Sequence, residues 1–277
     1  MTSYPRNRFR FPILLASLVS VFAMGSNRWY HANEYPLPET RFTKLYLGSS
    51  GSANSSNGDG RLSMEPPAAD APPDRFTYDP GAPTPSPRFY VTPEDLEPET
   101  EGDTTRSVQD IEKLRAEVRA FYAGVDSARQ DILVYDSEPM TDSLTFVGPV
   151  RAVLYASTSA KDTDWFLRLS EIDAKGVIFP LVEGKIRARF RESMENPTLL
   201  EPGKIYEYSL DLWQTGITVP SGHRLRVEVA SASFPFFSRN LNTGGANEKE
   251  TRFLKAEQTV YHDAEHPSHV LLPVIPR

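Results

Sequence analysis

The sequence predicts a mainly β protein, an antiparallel β-sandwich or jelly roll, on three observations. From Asp131 onward, apolar residues recur with a period of two, in about eight runs separated by Gly, Pro and Asn. The 24 prolines favour loops and edge strands over long helices. One stretch, before Asp131, has the apolar spacing of an amphipathic helix. Short alternating runs of this kind fit sheets with one face packed and one face in solvent.

The composition narrows the range of functions. Of the 277 residues, 39% are hydrophobic, which is enough for a substantial core. The net charge of −7 disfavours nucleic-acid binding, because that binding depends on cationic contacts to phosphate. The chain has no cysteine, which excludes disulfides, thiolate metal sites and cysteine nucleophiles. No apolar run reaches the roughly 18 to 20 residues of a membrane-spanning helix, and nothing indicates a cofactor.

The N-terminal stretch Phe11–Trp29 allows two interpretations. It follows the basic leader Met1–Arg10, and its apolar run ends in the small-residue site Val21–Ala23, as in a signal peptide. The same residues could instead form a core strand that runs into the turn Met24–Asn27. Cleavage after Ala23 would make the protein exported; otherwise we expect it in the cytoplasm.

Residues 31–106 are predicted to be an extended, loop-rich covering segment. Gly48–Gly60 has turn chemistry throughout, and Pro66–Pro87 contains eight prolines. Glu94–Asp103 packs six acids into ten residues, which indicates a solvated loop or, alternatively, an acidic interaction tail. We therefore divide the chain into residues 1–30, this covering segment, and a jelly-roll domain at residues 107–277.

The predicted helix opens the third region. Ser107 can cap it, with Asp110 three residues later, and Gly124 is its expected end. Its apolar residues at helical spacing are Ile111, Leu114, Val118 and Phe121. A stripe of this kind is normally a packing face.

The strands that follow alternate clearly. In IYEYSLDLW, one face carries Tyr206, Tyr208, Leu210 and Leu212. In HRLRVEV and KIRARFR, the face opposite the apolar residues carries a row of arginines: Arg187, Arg189, Arg191, Arg224 and Arg226. These arginines could bind an anionic ligand. We favour outward faces whose arginines pair across a sheet with acids such as Asp211 and Glu228.

Sequence patterns for catalysis and metal binding are weak. No Gly-x-Ser-x-Gly elbow of an α/β-hydrolase is present. The three imidazoles in residues 262–269 could bind zinc, but Pro267 disfavours helix at His266, so a polar turn is the favoured interpretation.

Two shorter patterns are equally open. Asp162, Thr163 and Asp164 could belong to a calcium loop, although turn formation and capping before a strand is favoured. His223 could act as a general base, but with no convincing nucleophile in the chain it is expected to be structural.

Several segments together resemble one family. They are MGSNRW, EYPLPETRFTKLYL, YDPGAPTP, RQDILVYDSEPM, KDTDWFLRL, SGHRLRVEVASASFPFFSRNLNTGG and HPSHVLLPVIP. In this order and spacing they resemble the C-terminal part of CocE/NonD hydrolases, the group of the X-Pro dipeptidyl-peptidases. The positions that carry the resemblance are Met24, Gly25, Asn27, Trp29, Tyr78, Asp79, Pro80, Asp162, Thr163, Asp164, Gly222, His223, Arg224, Phe234, Pro235, Asn240, Asn242, Gly244, His266, Pro267 and Ser268.

The resemblance implies a galactose-binding-like jelly roll that docks onto an α/β-hydrolase domain. That domain carries the family's Ser, Asp and His, so no catalytic residue is transferred to this chain, which is expected to be inactive alone. Residues 1–30 then resemble the last strand of the hydrolase domain. Phe89 and Tyr90 are candidate substrate contacts, although Ser86–Tyr90 departs from the family's Gly-Gly.

The expected partner is therefore an α/β-hydrolase domain, with homo-oligomerisation left open. The alternative is an autonomous binding module for carbohydrate or protein. In that case Trp165, Trp213 and Tyr206 could form a platform for a sugar, whereas in the first case they are core residues.

Overall fold

A computed structural model describes residues 19–86, 116–117, 120–121 and 123–276. Its strands are β1 Val19–Ala23, β2 Arg28–Ala32, β3 Arg41–Gly48, β4 Arg61–Ser63, β5 Asp74–Tyr78, β6 Leu133–Ser137, β7 Leu144–Thr158, β8 Asp164–Ile172, β9 Ile178–Arg187, β10 Tyr206–Val219, β11 Arg224–Ala230, β12 Ala256–Tyr261 and β13 His269–Val274. A 3₁₀ turn spans Ala188–Phe190, and residues 123–128 are helical. The mainly β prediction is confirmed, with β6 to β13 as the eight strands after Asp131.

The strands form one large sheet and one hairpin. The sheet runs in the order β5-β12-β7-β13-β3-β4-β6-β11-β8-β9, with β10 on the long strand β7. Of the described strand pairs, β4 with β6 is parallel and the others are antiparallel. One core cluster is enclosed by side chains from strands along the whole sheet. Near Asp211 the backbones of β9 and β10 approach so closely that a Cβ at Gly184 would lie 2.1 Å from the Asp211 carbonyl oxygen. The sheet therefore curves back on itself around the core, with β9 beside β10, which is consistent with the predicted sandwich.

Alternation predicts the packing of β10 correctly. Tyr208, Leu210 and Leu212 are buried and Tyr206 is half-buried, whereas Ser209 and Asp211 between them are exposed. The inward side chains join the main core because the period of two sends every second residue to the same face. The predicted core face of this strand is therefore confirmed.

Two predicted boundaries are wrong. The strand in KIRARFR ends at Arg187, because Ala188 turns inward and its N–H donates to the Thr163 carbonyl. The helix does not end at Gly124, since the Arg129 N–H still bonds the Val125 carbonyl and residues 123–128 are helical. A glycine inside a helix costs only about 1 kcal/mol, which tertiary packing readily offsets. The predicted cap and the three apolar positions before Phe121 lie outside the described residues.

Three strands from residues 31–106 join the sheet. The strand β3 lies between β13 and β4, and β5 pairs with β12. The loop-rich composition of this region conceals these strands, because they are only three to eight residues long and lie between Pro and Gly clusters. The division into a covering segment and a separate jelly-roll domain stays a prediction.

The hairpin of β1 and β2 packs on the end of β10. Its turn uses two residues with left-handed backbone, Gly25 (φ 80°) and Asn27 (φ 53°). The Met24 N–H donates to the Gly216 carbonyl, and the Met24 carbonyl accepts from the Thr218 N–H, both at 2.9 Å. The inward face of the hairpin covers a small apolar cluster of Ala23, Leu37, Val147 and Ile275. In the described residues, VFAMGSNRW is thus a β-turn-β unit.

The close approach at the hairpin turn predicts a large effect for Gly25→Ala. A Cβ there would lie 2.5 Å from the Thr218 carbonyl oxygen, in addition to the strain of a positive φ. We expect the free energy of unfolding, measured by urea denaturation, to fall by about 2–4 kcal/mol. The matched control is Gly203→Ala, where φ is +83° but no atom lies within 4 Å, so about 1 kcal/mol is expected. Equal losses in the two variants would contradict the clash.

Candidate functional site

A buried polar cluster joins Ser49, Asp74 and His262. The Ser49 hydroxyl donates to the Asp74 carboxylate at 2.8 Å, and His262 Nε2 lies 2.9 Å from Asp74 Oδ2 and 3.1 Å from Ser49 Oγ. The Ala53 N–H and the Tyr135 hydroxyl also donate to Asp74. These residues come from the loop after β3, from β5 and from the end of β12. The cluster therefore brings together the residue types of a serine-hydrolase triad.

The geometry of this cluster does not support catalysis. In a working triad the histidine uses one ring nitrogen for the serine and the other for the carboxylate. Here Ser49 and Asp74 share His262 Nε2, and the buried Nδ1 has no hydrogen-bond partner among the described residues. Ser49 also donates its proton to Asp74, so the imidazole cannot accept it. The cluster instead fixes the loop of residues 49–60.

The charges of the cluster are arranged for stability. Burial alone would raise the pKa of Asp74, but hydrogen bonds from His262, the Ala53 N–H and Ser49 outweigh it and hold the pKa below its ordinary value. Burial, followed by the nearby Asp74 carboxylate, raises the pKa of Tyr135 well above its ordinary value. Tyr135 therefore remains a neutral donor to an ionised carboxylate.

The three imidazoles of residues 262–269 do not converge. His262 lies in the cluster just described, His266 Nδ1 contacts Asp263, and the His269 ring donates to the Pro267 carbonyl at 2.6 Å. No group of three or more His, Asp or Glu residues suited to a metal ion occurs in the described part of the chain. The His-Pro-Ser motif has a structural role, because the Ser268 hydroxyl bonds both the Tyr261 carbonyl and the Tyr155 N–H and thereby joins two strands.

The Asp-Thr-Asp motif forms a buried ion-pair network. Asp164 accepts two hydrogen bonds from Arg187, at 2.9 and 3.1 Å, and Asp162 accepts from the backbone and guanidinium of Arg189. The Asn240 amide donates to both carboxylates, at 2.9 and 2.8 Å. The favoured interpretation as caps of a local turn was therefore wrong, because these carboxylates bind side chains from β9, the 3₁₀ turn and a distant loop.

Thr163 and Gln258 extend this network into the core. The Gln258 amide donates to the Thr163 hydroxyl at 2.6 Å and to Ser231 at 2.9 Å. The remaining arginine of the KIRARFR run, Arg191, lies 4.4 Å from the Tyr206 ring centre. All three arginines of this run therefore have defined contacts. Of the predicted arginines, Arg187, Arg189, Arg191 and Arg226 pair with acids, but the partners differ from those expected, and Arg226 is buried where an outward face was predicted.

The loop of residues 231–255 presents aromatic side chains to solvent. The outward rings are Phe234, Phe236 and Phe253, with Leu254 beside them. Asn242 (φ 62°) and Gly244 (φ 78°) turn the loop, and the Asn242 amide bonds the Leu254 carbonyl. The hydrogen bonds of Asn240 therefore anchor the loop, while its apolar rings face solvent.

A second loop, residues 79–86, lies against this aromatic loop. The Phe234 N–H bonds the Thr84 carbonyl, and the Ser86 N–H bonds the Phe234 carbonyl, next to the Phe234–Pro235 bond. Arg239 donates to the Pro80 carbonyl at 2.5 Å. Nearby, Tyr78 donates to the Asn240 carbonyl, and Asp79 pairs with Lys255 at 2.8 Å. The family motifs around Tyr78 and Phe234 thus meet in space. Phe89 and Tyr90 follow this loop after two further residues and lie outside the described residues.

The Gly-His-Arg motif forms the turn between β10 and β11. Gly222 (φ 82°) and His223 exchange backbone hydrogen bonds with Met140, both at 2.8 Å. His223 Nδ1 contacts Glu171 at 2.5 Å, and Arg224 begins β11 at the surface. In the same turn the Ser221 hydroxyl donates to the Thr141 carbonyl, and the structural role of His223 stays a prediction.

The three candidate sugar-platform residues are separated. Trp165 is fully buried in the core and cannot stack on a ligand. Tyr206 is half-buried under Arg191, and Trp213 is 73% exposed in a bulge of β10 with left-handed backbone (φ 81°). A shared platform of all three is therefore excluded.

The outward face of the β1–β2 hairpin is aromatic. Phe22 and Trp29 are register partners whose rings lie 5.2 Å apart, and Trp29 stacks on His31 at 6.4 Å. Phe22 is 37% exposed and Trp29 57%. We call Phe22, Met24, Trp29 and His31 the hairpin face. An exposed apolar group of this kind usually marks an interaction surface.

The fold and these surfaces define a mainly β domain with exposed aromatic side chains on a hairpin and on a long loop. The model of the X-Pro dipeptidyl-peptidase C-terminal non-catalytic domain matches residues 16–271, and the chain belongs to this family. Its resemblance to the C-terminal part of CocE/NonD hydrolases is thereby confirmed.

Individual relatives agree with this assignment. The chain is 36% identical to the cocaine esterase of Rhodococcus sp. (strain MB1 Bresler), over 94% of this chain and 42% of the esterase. It superposes on an aminopeptidase from a marine sediment Thaumarchaeota archaeon with a TM-score of 0.73 at 26% identity, over 96% and 41% of the two chains. An α-amino acid ester hydrolase gives a TM-score of 0.72 at 26% identity, over 93% and 41%. This chain thus spans about two fifths of the length of these relatives.

Sequence reasoning missed two buried clusters. The first is Ser49 with Asp74 and His262, whose members are up to 213 positions apart. The second is a group of charged residues, Asp126, Arg226 and Glu228, which is buried on the outer face of β11. Alternation alone predicts that this face is solvated. Its one signal was the charge-rich face of HRLRVEV, which sequence alone cannot distinguish from an exposed one.

Proposed function

We propose that this chain is the non-catalytic β-domain of a serine hydrolase that acts on acyl esters, acyl amides or peptides. The domain supports an α/β-hydrolase domain and contributes to the rim of its active site, and it has no activity alone. The observation that carries the proposal is the exposed aromatic hairpin face on a domain that spans only about two fifths of its relatives.

The hairpin face is the proposed docking surface. Its backbone is fixed to β10 through Met24, so its rings are presented on a rigid support. Burying the exposed fractions of Phe22 and Trp29 against a partner would contribute favourable apolar contact at about 25 cal/mol per Å². Because most of the hairpin belongs to the stretch that resembles the last strand of the hydrolase domain, that domain is its proposed partner.

The aromatic loop is the proposed contribution to the rim. It carries outward rings next to a buried ionic network, and it is hydrogen-bonded to residues 79–86, which precede Phe89 and Tyr90 in the sequence. These two remain candidate substrate contacts. A rigid apolar edge of this type suits acyl groups or apolar peptide side chains.

The proposal is tested by ester and amide hydrolysis. Purified chain is expected to give no turnover of p-nitrophenyl esters or X-Pro anilides. Grafted in place of the segment it matches in the Rhodococcus esterase, it is expected to restore ester turnover. In that chimera, Trp29→Ser is expected to lower the melting temperature by several degrees, whereas the control Met194→Ser, exposed but outside the hairpin face, leaves it unchanged.

Activity of the isolated chain would overturn the proposal. This result would be decisive if turnover persisted after all five serines of residues 49–56 were replaced by alanine. Inactivity of the chain, with a Trp29-dependent chimera, supports it.

One observation favours the alternative of an autonomous binding module. Trp213 is held outward by a left-handed backbone and by the bond from its N–H to Asp211, although it contributes little to the core. Micromolar binding of the purified chain on a glycan array, lost in Trp213→Ala, would favour this alternative. Absence of binding leaves Trp213 as a further docking residue on β10.

A further inference from the structure

The helical residues 123–128 carry a fully buried carboxyl group onto the outer face of β11. Asp126 has no exposed surface. Its Oδ2 lies 3.2 Å from Arg226 Nη1, and its Oδ1 lies 3.8 Å from Arg168 Nη2. The backbone of the segment is also tied down, since the Ser56 N–H donates to the Asp126 carbonyl at 2.7 Å. Asp126 is therefore the ionisable contact between this segment and the sheet.

The groups that face Asp126 contain more acids than bases. On β11, Arg226 and the buried Glu228 lie against it, and on β8 Arg168 binds Glu228. On β6, Asp136 takes two hydrogen bonds of 2.7 Å from Arg226. At the margin, Glu183 of β9 is the register partner of Arg168. Two guanidinium groups thus face three carboxyl groups, the buried Asp126 and Glu228 and the partly exposed Asp136, so full ionisation leaves one negative charge in excess within the group.

Within the described part of the chain, two buried carboxyl oxygens in this group lack a hydrogen-bond donor. Asp126 Oδ1 and Glu228 Oε1 are both buried without another hydrogen-bond partner among the described atoms. Two ionised carboxylates in this position would repel each other, whereas one proton between them supplies a donor. The excess of carboxyl groups and the two unpartnered oxygens therefore both indicate that Asp126 and Glu228 share one proton.

We propose that Asp126 is a proton-dependent latch that holds residues 123–128 on β11. With a proton shared with Glu228, the segment is docked. Without it, the buried carboxylates repel and the segment is released from the sheet. The segment also forms one wall of a cleft of about 720 Å³, whose lining includes Arg224, Arg226 and Ser127, so release widens this cleft.

The electrostatics of the pair set the pH range. Burial, followed by the charge of Glu228, raises the pKa of Asp126 to about 9. Burial would also raise the pKa of Glu228, but Arg168 outweighs it and lowers the pKa. A carboxyl whose pKa is raised in the docked state contributes stability that is complete at low pH and is lost as pH rises through about 9. The contribution of Glu228 changes only in the acid range.

Hydrogen exchange of the full-length chain tests the latch. The protection of backbone amides in residues 123–128, corrected for intrinsic exchange, is expected to fall up to about tenfold per pH unit between pH 6 and 9. In Asp126→Asn, which keeps a neutral polar group there, the protection is expected to be independent of pH over this range. The matched control is Glu117→Gln, an exposed acid near the same segment, which should keep the wild-type slope.

A second variant keeps the test decisive if Asp126→Asn does not fold. In Glu228→Gln, Asp126 faces two guanidinium groups without the competing carboxylate, so it ionises in the acid range and the slope above pH 6 disappears. A flat wild-type profile would overturn the latch, as would a slope that persists in either folded variant. Loss of the slope in a folded variant, with the slope kept in Glu117→Gln, supports it.

Discussion

Asp74→Ala is expected to lower the free energy of unfolding by about 3–5 kcal/mol, the largest effect of any single substitution considered. The carboxylate accepts hydrogen bonds from Ser49, Ala53 and Tyr135 and contacts His262 in a site without solvent. Its removal leaves several buried donors without an acceptor, and each one costs about 1–3 kcal/mol. Urea denaturation followed by circular dichroism gives the measurement.

The control for this prediction is Asp79→Ala. Asp79 also pairs with a cation, Lys255, but at the surface, so a loss below about 1 kcal/mol is expected. The pH dependence gives a second readout. Because the pKa of Asp74 is lowered in the folded state, its stabilisation is present above the ordinary carboxyl pKa and is lost as pH falls below about 4. Equal losses in the two variants would contradict the role of the buried cluster.

Asn240→Ala is expected to cost about 2–4 kcal/mol and to loosen the aromatic loop. One side-chain amide donates to both Asp162 and Asp164, and its oxygen accepts from the Asn242 N–H. Without it, two buried carboxylates each lose a donor and the loop loses its anchor. Urea denaturation measures the stability, and hydrogen exchange of residues 234–254 measures the loosening.

Asn196→Ala is the control for this second prediction. Asn196 is exposed, so a change within about 0.5 kcal/mol and unaltered exchange in the loop are expected. If Asn240→Ala leaves the loop protection unchanged, the network supports the sheet alone and does not order the aromatic rim.

The sequence predicts the strands of this fold well and its polar interior poorly. The alternation in β10 and β11 requires only local information, because each side chain points to the face opposite its neighbour's. The choice of ionic partners requires the topology. Arg187 and Asp164 pair because β8 and β9 are adjacent and in register, which no local pattern contains.

The outer face of β11 shows most clearly what the sequence pattern cannot predict. Arg226 and Glu228 alternate with core residues as on a solvated face, yet both are buried because residues 123–128 cover them. Similarly, the three histidines of residues 262–269 have different environments. His262 follows the end of β12, His266 lies in the turn, and His269 begins β13. The family resemblance includes Asn240 among its positions, but it does not indicate what Asn240 contacts.

The position of β13 between β7 and β3 has a consequence for folding. Residues 269–274 must pair with residues 41–46, so the centre of the sheet joins segments more than two hundred residues apart. Contacts of such long sequence separation form slowly, because a large chain loop must close first. During synthesis, β3 therefore emerges long before its neighbour exists. Until β13 has been synthesised, the edges of the N-terminal strands stay unpaired, and the sheet of the domain is complete only after β13 has joined it.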